Sequence, residues 1–262
     1  MPHLIATPAH QIENNAPFPS LPREALLRMA DAGAKVVDCI RDLNTSGSNL
    51  VIEALRGSGD FTEWEHYPPN DVYDLKSHAQ YYFHAHPPDD RDASDYGHFH
   101  TFLRPKGMPL GIRPAKVKGH ALAVSVNEAL SHLIAISMTP SGMPEALFTT
   151  NRWVTGETWY GAADVTAMLD HFVIDLDQPS PLLNQWLTAM FILFRPQIEE
   201  LVIERDRTII QWQTEHPDLD VFEDRRLEIT SSKAISLYRQ IEWLDDQLEP
   251  GSSDRSGRIS CP

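Results

Sequence analysis

Gln80-Tyr81-Tyr82-Phe83-His84-Ala85-His86-Pro87 and His98-Phe99-His100-Thr101-Phe102-Leu103 are the most strand-like runs of the chain. Both are rich in aromatic residues, which suit a pleated surface, and Pro87 ends the first because it cannot donate to a ladder. Each run carries a His-x-His pair. Alternate residues of a strand share a face, so each pair sets two imidazoles side by side. If the runs are antiparallel neighbours, His86 is expected near His98 and His84 near His100. Opposed Cβ atoms about 4.5–5.5 Å apart let several ring nitrogens converge on one ion.

Working outward, the acidic stretch with Asp89, Asp90, Asp92 and Asp95 joins the two runs and is too long for a simple hairpin turn. Arg104, Lys106, Arg113, Lys116 and Lys118 follow without an acid among them, in a stretch rich in proline and glycine that reads as an extended loop. Ala121–Ser131 is expected to form a short helix. His132–Met138 and Ala146–Thr150 read as two further strands joined by Pro140-Ser141-Gly142-Met143-Pro144, the second running on to Gly156. Upstream, Ser20 caps an amphipathic helix to about Leu43, and Leu50–Leu55 is a shorter one. Downstream, Ala162–Phe172, Leu182–Phe194, Gln197–Gln213 and Ser232–Leu248 all carry helical periodicity, with Pro196 separating the middle two.

The fold class expected is α+β: a small antiparallel sheet flanked by helices, with a helical C-terminal half. The chain divides into an irregular lead at 1–19, one domain at 20–248 and a disordered polar tail at 249–262.

The protein has 262 residues, 42% apolar and 23% charged, which excludes a disordered chain or a collagen-like polymer. A net charge of −15 argues against nucleic acid as a partner, since phosphates would be repelled. The longest apolar run, Leu182–Phe194, includes Asn184 and Gln185 and falls short of the roughly 20 residues needed to span a bilayer, so no membrane partner is expected. Cys39 and Cys261 make no disulfide framework, and the N-terminus shows no basic, apolar leader; the cytoplasm is the expected location.

Six of the 12 histidines fall between His66 and His100. Neutral imidazole is the commonest metal ligand, and a cysteine-free histidine set suits iron, copper or zinc. His84, His86, His98 and His100 are therefore the expected ligands of a transition-metal ion, iron or copper first and zinc as the alternative. A lone histidine has many structural uses, so His66, His78, His120, His132 and His171 rank below them. Tyr82 and Arg152 are the candidate catalytic residues. Tyr82, with Tyr81, Phe99 and Trp153, belongs to aromatic surroundings that would suit a dry, partly apolar pocket, and Arg152 could clamp a substrate carboxylate beside Trp153, Trp159 and Tyr160.

The expected activity is metal-dependent oxidation of a small organic substrate. A zinc hydrolase using Glu63, Glu65 or Asp95 as base is the alternative, and a non-catalytic metal-binding or scaffold protein is the other. The C-terminal helices are the expected surface for a homo-oligomer.

His84-Ala85-His86-Pro87 with Ser94 resembles the zinc motif of JAMM-type deubiquitinating metalloproteases, but Gly97 stands where that motif requires an Asp ligand. Tyr81–Pro87, Gly97–Phe102 and Phe148–Glu157 together resemble a bacterial family known only as a domain of unknown function, over about residues 66–178. That resemblance implies no activity, substrate or ligand set.

Overall fold

The computed structural model describes residues 21–87, 96–117, 125 and 127–249. The lead at 1–19, the tail from 250 on, His120, Ser94 and the acidic residues 89–95 lie outside them. At its centre is a six-stranded, wholly antiparallel sheet in the order β1-β2-β3-β4-β5-β6. Its strands are β1 (Tyr67–Tyr73), β2 (Ala79–His84), β3 (Gly97–Leu103), β4 (Ser131–Met138), β5 (Pro144–Thr150) and β6 (Ile229–Ala234). Among the described residues seven helices complete it: α1 (Arg23–Thr45), α2 (Leu50–Ala54), α3 (Arg152–Thr155), α4 (Ala162–Met168), α5 (Pro181–Leu193), α6 (Arg195–Glu215) and α7 (Leu237–Leu248). The mixed α+β class with a helical C-terminal part is as expected. Among the described residues, no helix is long and apolar enough to cross a membrane.

Alternation along the strands separates two faces. Tyr81, Phe83, Phe99, Ile134, Ile136 and Leu147 point to the main core, where Phe99 meets the fully buried Trp186 of α5 at 5.9 Å. The Tyr81 hydroxyl donates to Asn184 Oδ1 of the same helix at 2.6 Å, so the phenol enters the core without an unmet polar group. α1 lies along α5 and α7, while α6 covers β5 and β6. Burying this face orients the other one, which carries Tyr82, His84, His98 and His100.

Several local expectations fail, each for a visible reason. β5 does not run on to Gly156. The Asn151 side chain accepts from the Arg152 amide at 2.8 Å, one helical turn forms, and Gly156 stops it at φ 65°, a conformation glycine adopts freely. The last helix does not start at Ser232, because Ile229–Ala234 pairs with β5 and Ser236 caps α7 instead. The sequence pattern does not predict β1; Pro68 and Pro69 are tolerated there because it is the edge strand. Residues 127–130 are not helical, and Ser131 already begins β4; residues 121–124 and 126 of the helix expected at 121–131 lie outside the described residues.

Candidate metal centre

The β2–β3 ladder pairs His84 with His98 and Tyr82 with His100, a register two residues away from the one expected. Gly97 makes that closeness physical. A Cβ at Gly97 would stand 2.6 Å from the His84 carbonyl oxygen and 2.6 Å from the Phe83 ring, so any side chain would push β3 off β2.

His84 Nε2 and His98 Nε2 are 2.7 Å apart. His86, just past the end of β2, turns its ring back to within 5.0 Å of His84 and 5.2 Å of His98. One ring nitrogen from each of these three lies within 4.8 Å of the others. Two nitrogens on one tetrahedral ion stand about 3.3 Å apart, so the 2.7 Å pair must part slightly to hold a metal. Without an ion, that distance fits an N–H···N bond between the two rings.

The expected fourth ligand, His100, falls outside the three-residue set. Its ring is nevertheless 4.9 Å from His98 and 5.1 Å from His84. Its Nδ1 contacts His132 Nε2 at 3.0 Å, and its Nε2 is buried with no hydrogen-bond partner.

Burial sets the charge state of these rings. It is the main cause holding His84 down to about 2, with neighbouring histidines adding to it. His132 is held at about 3, and His100 well below its ordinary value, again chiefly by burial. All three are neutral at physiological pH and offer lone pairs, the form a metal binds. A buried histidine cluster of this composition is compatible with a transition-metal site; it does not fix which metal.

Aromatic groups enclose the cluster. Tyr82 is stacked under His66 at 3.6 Å and lies 5.5 Å from His84 and 5.2 Å from His100. Burial, with Asp71 and Glu157 nearby, pushes the Tyr82 hydroxyl well above its ordinary pKa, so it keeps its proton. Phe148 of β5 sits 5.1 Å from His98, and Trp64 sits 4.3 Å from His86.

Trp64 and His66 also line an adjoining cleft of about 610 Å³, together with Asp60, Glu65, Tyr67 and Asp71. Asp71 is tied into the wall, taking His66 Nδ1 at 3.0 Å and the Gln80 amide at 2.6 Å.

Arg152 is placed on α3, where its half-buried guanidinium pairs with Glu223. The basic residue Arg104 is engaged by Gln80 Oε1 at 2.7 Å and the Asn127 carbonyl at 3.0 Å. His171 is exposed on the surface, and His78 bonds the Tyr73 hydroxyl.

Three contributors have no clear sequence signal. His132 reaches the cluster through a break in strand register, Trp64 lies in an irregular segment, and Glu157 sits in a run whose aromatic residues are its more conspicuous feature. Glu157 is fully buried; its Oε2 accepts from the His132 amide at 2.7 Å, its Oε1 has no partner, and burial pushes it up to about 7.

A family model described as a domain of unknown function, DUF6969, matches residues 30–235. No curated protein and no solved structure matches the chain.

Proposed function

The chain belongs to the DUF6969 family, and we propose that its sheet face is the centre of a metal-dependent enzyme, an iron or copper oxidoreductase acting on a small organic substrate. The observation that carries this is the convergence of three histidine nitrogens, from His84, His86 and His98, within 4.8 Å of one another on a largely buried face. Among the described residues that set has no cysteine or carboxylate. Structural zinc sites usually close their shell with cysteine; all-nitrogen sites more often serve catalysis or electron transfer.

With His100 as a further nitrogen, a four-coordinate ion would be closed, whereas iron or copper with five or six positions keeps one free for dioxygen or substrate. The metal would supply the electron-transfer step, with dioxygen as oxidant. The chain's own residues do the rest. Phe148, Phe102 and Tyr82 exclude water, Tyr82 holds a proton at its hydroxyl beside the ligands, and the cleft along Trp64 and His66 admits the substrate. Arg152 as a substrate anchor requires its guanidinium to leave Glu223, so Tyr82 is the better supported of the two. We also expect copies to associate through α6 and α7, where Ile203, Ile210 and Tyr238 are exposed.

Three histidines with an open position are equally the composition of a catalytic zinc site, so hydrolysis is the second reading. Titrating metal-free protein with Fe(II) or Cu(II) separates them. A ligand-field or charge-transfer band at one equivalent, coupled to substrate-dependent oxygen uptake, is the expected result. Tight zinc binding with no redox turnover would replace oxidation by hydrolysis, and failure to retain any transition metal would remove both.

A further inference from the structure

We propose that His132 and Glu157 are positioning residues that fix His100 as an Nε2 lone-pair donor to the histidine centre. This deepens the metal assignment above and rests on it.

Strand alternation alone would put His132 on the core face with Ile134 and Ile136. The β3–β4 ladder prevents this: Thr101 pairs with Ile134 but Phe102 with His132, so Leu133 is an extra residue on β4. Such a bulge re-aims a side chain, here bringing the His132 ring to 5.3 Å from Phe102 and 5.0 Å from His100. The amide of His132, at the re-aimed position, donates to Glu157 Oε2 at 2.7 Å. A carboxyl group that is 1% exposed is costly to bury, and this contact accounts for its place, since it holds the backbone that presents the ring.

Between two neutral imidazoles, one nitrogen donates and the other accepts. His100 Nε2 is buried without a partner. A proton on Nε2 would bury an unpaired N–H, the rarest kind of orphan in folded proteins. The proton therefore sits on Nδ1 and is donated to His132 Nε2 at 3.0 Å. That leaves the Nε2 lone pair in a space walled by His84, His98 and Tyr82. A ligand histidine characteristically donates its other ring N–H to a fixed acceptor in this way.

Long-range proton–nitrogen NMR on metal-free, nitrogen-15-labelled protein reads the tautomer directly. The expected result is His100 protonated at Nδ1 in the wild type. The tautomer should survive in His132→Gln, whose amide oxygen replaces the acceptor, and be lost in His132→Leu. Titration with Co(II), followed by its visible bands, should show affinity weakened about 10–100-fold in His132→Leu and Glu157→Leu, while His132→Gln and Glu157→Gln bind as the wild type does. If the leucine variants fail to fold, the wild-type and glutamine spectra still decide the tautomer. His100 protonated at Nε2, or undiminished Co(II) affinity in a folded His132→Leu, would overturn the proposal. If Co(II) does not bind the wild type, the metal assignment fails, while the tautomer still judges His132 on its own.

Discussion

Acidifying the metal-free protein from about pH 7.5 to about pH 5 should destabilise it, because its buried histidines must charge on unfolding. His84 is held at about 2 and His132 at about 3, against an ordinary value of 6.5. The unfolded chain therefore binds protons first, and the stability present above pH 6.5 is lost as the pH falls. At pH 5 each of the two costs about 2 kcal/mol, roughly 4 kcal/mol together. His100, also depressed by burial, acts in the same direction.

Glu157 opposes them. Burial raises it from 4.5 to about 7, so the folded state takes that proton first and gains about 2 kcal/mol over the same window. Asp74 and Asp224, whose bonding holds them below their ordinary values, titrate below this range. The histidines win, leaving a net loss of at least about 2 kcal/mol, a large share of the roughly 5–15 kcal/mol that a domain has. Urea unfolding at the two pH values measures it, and Glu157→Gln should steepen the loss by about 2 kcal/mol. Wild-type stability that is equal or greater at about pH 5 would refute the placement of neutral, buried imidazoles.

Gly97→Ala forces a methyl group against the His84 carbonyl oxygen and should part β2 from β3 at the ligand pair. We expect a cost of about 1–3 kcal/mol, with metal affinity falling together with stability, read by unfolding and metal titration. Trp186→Ala empties the opposite, core face of the sheet and should cost about 3–5 kcal/mol while leaving metal stoichiometry unchanged in the folded fraction. Arg152→Ala removes a partly exposed ion pair worth under about 1 kcal/mol and should leave metal content unchanged. A raised KM in that variant would support Arg152 as the substrate anchor, and an unchanged KM would remove it from the site. Tyr82→Phe should keep the metal and slow turnover, as the proton donor is lost; undiminished kcat would leave Tyr82 a packing group.

The central hairpin was legible because two independent periodicities coincide in it. Tyr81 and Phe83 on one parity are buried in the main core, while the histidines on the other parity are carried to the opposite face. The long helices were legible for the same reason, since burial on one side leaves a 3.6-residue stripe. What was hidden depends on pairing rather than on pattern. β1 contains Pro68, Pro69 and Asn70, and becomes a strand only because β2 offers it an edge. β6, with Thr230, Ser231 and Ser232, looks like the polar approach to a helix until β5 claims its backbone.

The site divides along the same line. His84, His86 and His98 followed from spacing, whereas His132 joined through one extra residue at a register shift, which no single strand encodes. Arg152 stood out as a cation beside aromatics, but its position is set by the Asn151 cap and its partner Glu223, a residue far away in the chain.

Anomalous diffraction from crystals of protein loaded with one equivalent of Cu(II) or Fe(II), collected at the metal edge, addresses the central claim most directly. A single strong peak bound by ring nitrogens of His84, His86 and His98, at about 2.0–2.2 Å, is the predicted result. A peak elsewhere on the molecule, or none at full loading with the three rings hydrogen-bonded to one another, would contradict it.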